Sequence, residues 1–312
     1  VRDGKLSLPI LAVLYELPPE KQKDWKNPAL WPLVNPNLGR SVDPDFLADQ
    51  LTTAREKGMH ALDLLASQHF NVEIGVGQGG GWVGAQHWGA AKMDGLTLEQ
   101  ILEVCEVVVA GIDGGGLDDL LGLAVIGRHR ESKLWLSWAH AWAHPEVLKA
   151  RKEIAPRLQD FAACGDLTLV DADDPTGDVV GVGNYIEQLV ASGLLPESSA
   201  IGLDPYGVSA IVDEMVSRGV SDEQMVAIGQ GTRLSPAIWG IERKLKTGTF
   251  RHGGQVMMDW VLGNAKTEQR GSAVMITKEV AGRAKIDPLI AVLNAYQLMS
   301  RNPVAGNQAY VY

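Results

Sequence analysis

Three apolar runs follow one another closely between residues 101 and 143, ILEVCEVVVAGI, LLGLAVIGRH and KLWLSWAHAW, and no other stretch restricts the fold as strongly. Runs of this length, rich in Val, Ile, Leu and Trp and bounded by turn residues, predict β-strands. Their connections are short, so the three strands are expected to pair as a meander. Downstream the pattern changes. A long helical pattern, HPEVLKARKEIAPRLQDFAAC, is interrupted by Pro156, and a short strand (DLTLVD), a helix (VGNYIEQLVASG) and a strand ending in an acid (SAIGLDPYG) follow. A helix (VSAIVDEMVSRG), a strand (EQMVAIGQG), a helix (SPAIWGIERKLKTG) and a last helix (DPLIAVLNAYQLMS) complete the alternation. A meander succeeded by strands alternating with helices predicts an α/β fold, a mixed sheet covered by helices.

Residues 1–100 read differently. A strand-like LPILAVLYELPP leads into KDWKNPALWPLVNPNLG, whose Pro, Asn and Trp predict turns and extended segments held by aromatic anchors. DPDFLADQLTTAREKGMHALDLLASQHF then carries apolar residues at helical spacing after an Asp-Pro start. The expected organisation is a mostly helical and irregular extension over 1–100 and an α/β domain over 101–312. Gly75, Gly77 and Gly80 match the spacing of a dinucleotide-binding loop, yet Gly81, Trp82, Val83 and Gly84 follow where that loop requires a helix. Two cysteines, Cys105 and Cys164, make neither a disulfide framework nor a metal knuckle. No signal-peptide layout and no run of eighteen apolar residues occurs, which leads us to expect a soluble, cytoplasmic protein without a membrane partner.

The turn joining the first two strands, in VVVAGIDGGGLDDLLGLAVIG, poses a choice between a phosphate cradle and a metal site. A Walker-type loop needs G-x-x-x-x-G-K-[ST], and this stretch has no lysine. It offers Asp113 at one strand end and Asp118 and Asp119 where the next begins. Carboxylates gathered at strand ends suit Mg²⁺ or Mn²⁺, hard ions that take oxygen ligands. Asp204 ends an apolar strand, the position where sites in open α/β sheets collect, and Asp287 opens the last helix. Each Asp-Pro alone reads as a helix cap, but together with Asp113 they match the several converging carboxylates that two metal ions require.

Charge adds a second signal. Between Gly229 and Lys285 ten basic side chains face four acidic ones, a local charge of +6 in a chain whose net charge is −10. The remainder therefore carries −16, so one surface suits a polyanion and another repels it.

Several segments together resemble the nuclease domain of the large terminase subunit of tailed bacteriophages. They are the first-strand Asp, GLDPYG, the stretch IGQGTRLSPAIWGIERKLKTGTFRHGGQVMMDWVLGNAK and the closing KIDPLIAVLNA, with Gln230, Gly231, Leu234, Ser235, His252, Gly253, Gly254, Trp260, Asn264 and Lys285 in family order. LYELPP, DWKNPALWPLVNPNLG and FNVE extend the likeness over nearly the whole chain. The resemblance implies a ribonuclease H-like fold and an endonuclease, dependent on two Mg²⁺ or Mn²⁺ ions, that cuts concatemeric double-stranded viral DNA during packaging. Its carboxylates would be Asp113, bridging both ions, Asp204 and Asp287, with Asp119 as an outer ligand and Asp118 its close rival. Lys266, Arg283, Lys285, Arg251 and His252 would lie against DNA. The family pattern has Ser or Thr near the start of the turn, where Gly114, Gly115 and Gly116 stand here. Implied partners are the small terminase subunit and the portal protein, in the host cytoplasm. ATP would be used only by an N-terminal motor whose Walker loop this chain lacks, in keeping with its fragment-like start on Val1. An integrase- or transposase-type enzyme would share the carboxylate layout. A non-catalytic module docking DNA or the portal would share the basic stretch.

Overall fold

The computed structural model describes residues 13, 15–57, 59–72, 81–116, 119–205, 209–278 and 285–306. The chain divides into two compact units, Val1–Gly80 and Gly81–Tyr312. In the first, short turns over Pro19–Asp24 and Pro28–Leu30 precede α1 (Trp31–Val34), α2 (Pro44–Lys57) and α3 (Met59–Phe70). Proline opens both turns, where its fixed φ suits a first helical residue and its missing N–H costs nothing. Trp25 and Trp31 stand 5.2 and 5.3 Å from the Phe70 ring, and Trp31 Nε1 donates to the Trp25 carbonyl at 3.0 Å. These are the aromatic anchors expected of that stretch. The glycines Gly75, Gly77 and Gly80 lie outside the described residues.

The second unit begins with α4 (Ala85–Trp88) and α5 (Leu98–Val104). Then come β1 (Cys105–Gly114), β2 (Leu120–His129), β3 (Trp135–Ala143), α6 (Pro145–Ala150), α7 (Ala155–Cys164) and β4 (Leu167–Leu169). The remainder is α8 (Gly177–Ser192), β5 (Ile201–Leu203), α9 (Ser209–Ser217), β6 (Met225–Ala227), α10 (Ser235–Thr247), β7 (Phe250–His252), α11 (Val256–Gly263), β8 (Ala265–Arg270), β9 (Ala273–Lys278) and α12 (Asp287–Met299). Two expectations are corrected. Ile101–Val104 is helix, because Thr97 and Gln100 cap each other's backbone N–H and start α5 just upstream. The hairpin β8–β9 replaces a stretch read without strands. Among the described residues no helix is long and apolar enough to cross a membrane.

The predicted meander forms the centre of a seven-stranded mixed sheet in the order β4-β3-β2-β1-β5-β6, with β7 also on β3. β1, β2 and β3 are antiparallel, whereas β5 pairs parallel to β1 and β6 parallel to β5. The outer edge of β3 is shared: β7 pairs with residues 135–137 and β4 with 141–143. Between them the Gln255 side chain accepts from Ala139 N at 3.3 Å and donates to the Ala139 carbonyl. β2 is buried from Leu120 to Gly127, as a central strand covered on both faces must be. One face packs on α8 and α9 through Val108, Ala110, Ile112, Trp142, Ile186 and Met215. The other receives α12.

Glycines set that second contact. A Cβ on Gly111 would lie 2.1 Å from the Ala291 carbonyl oxygen and 2.5 Å from Ala295 N, and one on Gly122 would lie 2.9 Å from Pro288 Cα. The obstacles are backbone atoms, so no rotamer change relieves them. From Asp287 to Met299 the described side chains of α12 are buried except Gln297.

Gly111→Ala is expected to destabilise the domain by about 3 kcal/mol in urea unfolding, at the upper end of overpacking costs. Gly89→Ala, which meets nothing within 4 Å, should change stability by less than about 0.5 kcal/mol. A pH effect comes from His140 on β3, 5% exposed, with Nε2 2.9 Å from Thr168 Oγ1. Burial lowers its pKa to about 4. The unfolded chain therefore binds the proton first, and stability falls as pH drops through the window from 6.5 towards 4. By pH 5 this term reaches roughly 2 kcal/mol. Urea melts at pH 7 and pH 5 should differ by about that much less in His140→Gln than in the wild type.

Candidate active site

β1 and β5 end side by side. Their last registered pair is Ile112 with Leu203, and Asp113 and Asp204 are the next residue of each strand. Parallel neighbours lie about 4.8 Å apart, and alternation turns Asp113 to the same face as Gly111, towards α12. Asp287 is the first residue of that helix. The bare Cα of Gly114 admits it: a Cβ there would lie 3.1 Å from Asp287 Cβ. Gly114, Gly115 and Gly116 all have φ between 88° and 111°, a backbone that the Ser or Thr of the family pattern would strain. Asp119 stands immediately before β2, its Oδ1 accepting from Leu120 N at 3.0 Å.

Four carboxylates thus share one end of the sheet, and the titration of Asp113, Asp287 and Asp119 reflects it. Burial, then the charges of Asp287 and Asp204, hold the Asp113 carboxyl well above the usual range, against the pull of Lys278. Asp287 is raised to about 6, by burial first and by Asp119 second, with Lys278 and Lys285 opposing. For Asp119 burial acts upwards too, but the Lys285 hydrogen bond and the Lys278 charge outweigh it and the pKa is lowered. The charges alternate in space. Lys285, 2% exposed, donates from Nζ to Asp119 Oδ1, and Lys278 Nζ lies 3.7 Å from both Asp119 Oδ2 and Asp287 Oδ1.

Asp287 Oδ2 is buried without a hydrogen-bond partner among the described residues. A buried carboxylate oxygen so placed, at the sheet end that also carries Asp113, whose carboxyl the charges of Asp287 and Asp204 raise, is a donor set that fits a hard divalent cation. In the present side-chain arrangement no three His, Cys, Asp or Glu groups among the described residues converge closely enough to ligate one ion.

Several motif residues brace this end of the sheet. Asn294 of α12, fully buried, donates to the Ile112 carbonyl at 3.0 Å and accepts from Gln230 Nε2 at 3.1 Å, so the residue before Asp113 is fixed from both segments. Asn264 donates to the Lys285 carbonyl at 3.0 Å. Ser235 Oγ donates to the Val274 carbonyl at 2.6 Å and accepts from Val274 N at 2.9 Å, which ties β9 to the start of α10.

Of the basic residues singled out by sequence, Lys285 joins the cluster, and Lys266 is exposed on β8 of the same hairpin that carries Lys278. Arg283 and Asp118 lie outside the described residues. Arg251 and His252 do not join it. His252 is level with Ser137, hence with Ile126, four residues along β2 from the Gly122 that pairs with Asp113. That offset is about 13 Å along the strands, and three strands across add about 14 Å. His252 is 2% exposed, stacked 3.8 Å from the Trp88 ring, with Nε2 on the Trp88 carbonyl and Nδ1 accepting from Gly254 N. Its place is in the packing of β7 on α4 and not at the surface. Arg251 Nη1 donates to the Ala90 carbonyl at 2.9 Å. Lys278 was missed as a site residue; the Gly271-Ser272 turn between two six-residue segments is the signal that would have placed it on a hairpin.

Comparison with known proteins is consistent with this architecture. Protein YmfN of Escherichia coli (strain K12) is 22% identical over 303 residues, which cover 92% of this chain and 62% of YmfN. The large terminase of bacteriophage HK97 has a likeness of fold, with a TM-score of 0.55 at 20% identity over 91% of this chain and 56% of that one. The chain therefore spans less than two thirds of the length of either relative. Its mixed sheet flanked by helices is the ribonuclease H-like arrangement of terminase nucleases. A family model, the endonuclease domain of the terminase large subunit, matches residues 12–302. On that match, which leaves out only the two ends, the chain belongs to the endonuclease-domain family of terminase large subunits.

Proposed function

We propose that this domain is a divalent-cation-dependent endonuclease that cuts concatemeric double-stranded viral DNA during genome packaging in the host cytoplasm. The observation that carries the reading is the placement of Asp113, Asp204, Asp287 and Asp119 at one sheet end, where Asp287 Oδ2 is buried with no hydrogen-bond partner among the described residues. Asp113 would hold two Mg²⁺ or Mn²⁺ ions, Asp204 one and Asp287 the other, with Asp119 orienting bound water. Such ions activate water on one side of a phosphodiester and stabilise the leaving oxygen on the other.

The chain's own groups prepare that chemistry. Mutual repulsion among the carboxylates favours any cation brought among them. Lys278 and Lys285 offset part of that repulsion and lie where a phosphate oxygen can take their N–H groups in place of Asp119. Lys266, exposed on the neighbouring strand, extends the positive surface outwards. Residues 1–100 would lead in from the packaging motor, and the small terminase subunit and the portal protein would be the partners of the complete subunit.

On supercoiled plasmid with millimolar Mn²⁺, the 312-residue chain is expected to nick and linearise DNA. Asp113→Asn, Asp204→Asn and Asp287→Asn should each lower the rate at least about a hundredfold, since each removes a charged donor worth several kcal/mol to the transition state. Asp113→Asn should also melt no lower than the wild type, because an amide relieves like-charge crowding. Wild-type cleavage by that variant would sink the assignment. A second expectation concerns binding: millimolar Mn²⁺ should raise the melting temperature of the wild type by a few degrees and leave that of Asp287→Asn unmoved.

A further inference from the structure

α10 forms the outer layer over α12, on the sheet face towards which Asp113 turns. Ala237, Ile238, Ile241 and Leu245 point inwards, and a Cβ on Gly240 would lie 2.5 Å from the Tyr296 hydroxyl, so the two helices cross closely. Its outer face is unusual in a chain of net charge −10. Trp239 is 49% exposed, unlike the tryptophans that serve as packing anchors, and Arg243 and Lys246 follow it at i+4 and i+7 on the same stripe. Arg233, also exposed, precedes the stripe in the turn before the helix. The helix's acid, Glu242, is turned away and accepts from Trp82 Nε1 at 2.7 Å. Lys244 lies 4.0 Å above the Trp135 ring, off this face. Among the described residues none of Arg233, Arg243 and Lys246 is paired with a carboxylate.

We propose that this face of α10, Arg233, Trp239, Arg243 and Lys246, is a second contact surface for duplex DNA, separate from the carboxylate end of the sheet. The inference rests on the reading of the domain as a DNA-cutting enzyme and gives it a place to hold the duplex away from the cut. Charge complementarity selects the occupant. Thirteen helical residues extend about 20 Å, and a duplex presents one negative charge per 1.7 Å of its axis, whereas the −16 carried outside residues 229–285 repels it elsewhere. An amphipathic indole between two cations packs on sugar and groove wall while the cations meet phosphates. The turn that bears Arg233 is bound through Gln230 to Asn294, and so to the strand of Asp113, which fixes this surface relative to the carboxylates.

The test separates binding from cutting. Fluorescence anisotropy with a 30-base-pair duplex of arbitrary sequence, in EDTA, measures Kd from 50 to 200 mM salt. Neutralising Arg233→Gln, Arg243→Gln and Lys246→Gln together is expected to weaken binding at least about tenfold at 100 mM salt and to reduce the slope of log K against log salt by about 2 to 3, near 0.9 for each lost phosphate contact. Trp239→Ala should weaken binding severalfold with the slope unchanged. The control triple Lys149→Gln, Lys152→Gln and Arg157→Gln alters net charge equally on α6, α7 and the turn between them, and should shift Kd less than twofold. Unaltered melting temperatures would exclude misfolding. An α10 variant that binds with wild-type Kd and slope overturns the proposal, as does a control triple that loses as much. Plasmid nicking that persists in that case leaves the nuclease reading standing, and the absence of nicking with intact α10-dependent binding removes that reading alone.

Discussion

The contact between α12 and the sheet decides where everything else can go. A helix whose backbone rests directly on two central strands needs glycine beneath it, and Gly111 and Gly122 supply that. The separation is then fixed by main-chain atoms, which neither shorten nor rotate, so the first residue of the helix arrives beside the end of β1 with little freedom. Asn294 adds directionality: one side-chain amide bonded to the Ile112 carbonyl sets the rotation of α12 about its axis. Hydrophobic burial holds the helix down, but it is indifferent to rotation; the glycine clearances and the amide make one seating better than its neighbours.

That seating gathers negative charge at some cost. The carboxyls of Asp113 and Asp287 are both pushed upwards by burial and by their neighbours, a sign that the folded state pays for keeping them together. Two lysines reduce the strain. Lys285, buried on the approach to α12, serves Asp119, and Lys278 from the β8–β9 hairpin stands between Asp119 and Asp287.

The parts of this arrangement that could be read from sequence are those fixed by burial. β1 and β2 are covered on both faces, so they appear as unbroken apolar runs, and the glycine–acid turn between them is conspicuous. α5 was hidden because its capping residues, Thr97 and Gln100, precede a segment apolar enough to pass for the start of a strand. The β8–β9 hairpin was hidden for the opposite reason: AKTEQR is polar and largely exposed, so it lacks the alternation that marks a half-buried strand. Lys278 went unnoticed with it. His252, expected against DNA, is instead buried, and its partner Trp88 stands 164 positions away. The nearness of Asp113, Asp204 and Asp287 depends on a parallel β1–β5 pairing and a helix crossing, neither of which any local pattern encodes; only their positions at strand ends and a helix start, and the likeness to a family, marked them as a set.

The shared flank of β3 has an effect of its own. β7 and β4 dock on either half of it and leave a gap at residues 138–140, across which the carboxamide of Gln255 engages both main-chain groups of Ala139 as a neighbouring peptide unit would. The amide thus acts as a one-residue strand, and the polypeptide can leave the layer after β7 and enter α11 without baring a ladder to foreign chains. A seam that would otherwise invite intermolecular pairing is sealed by a single side chain.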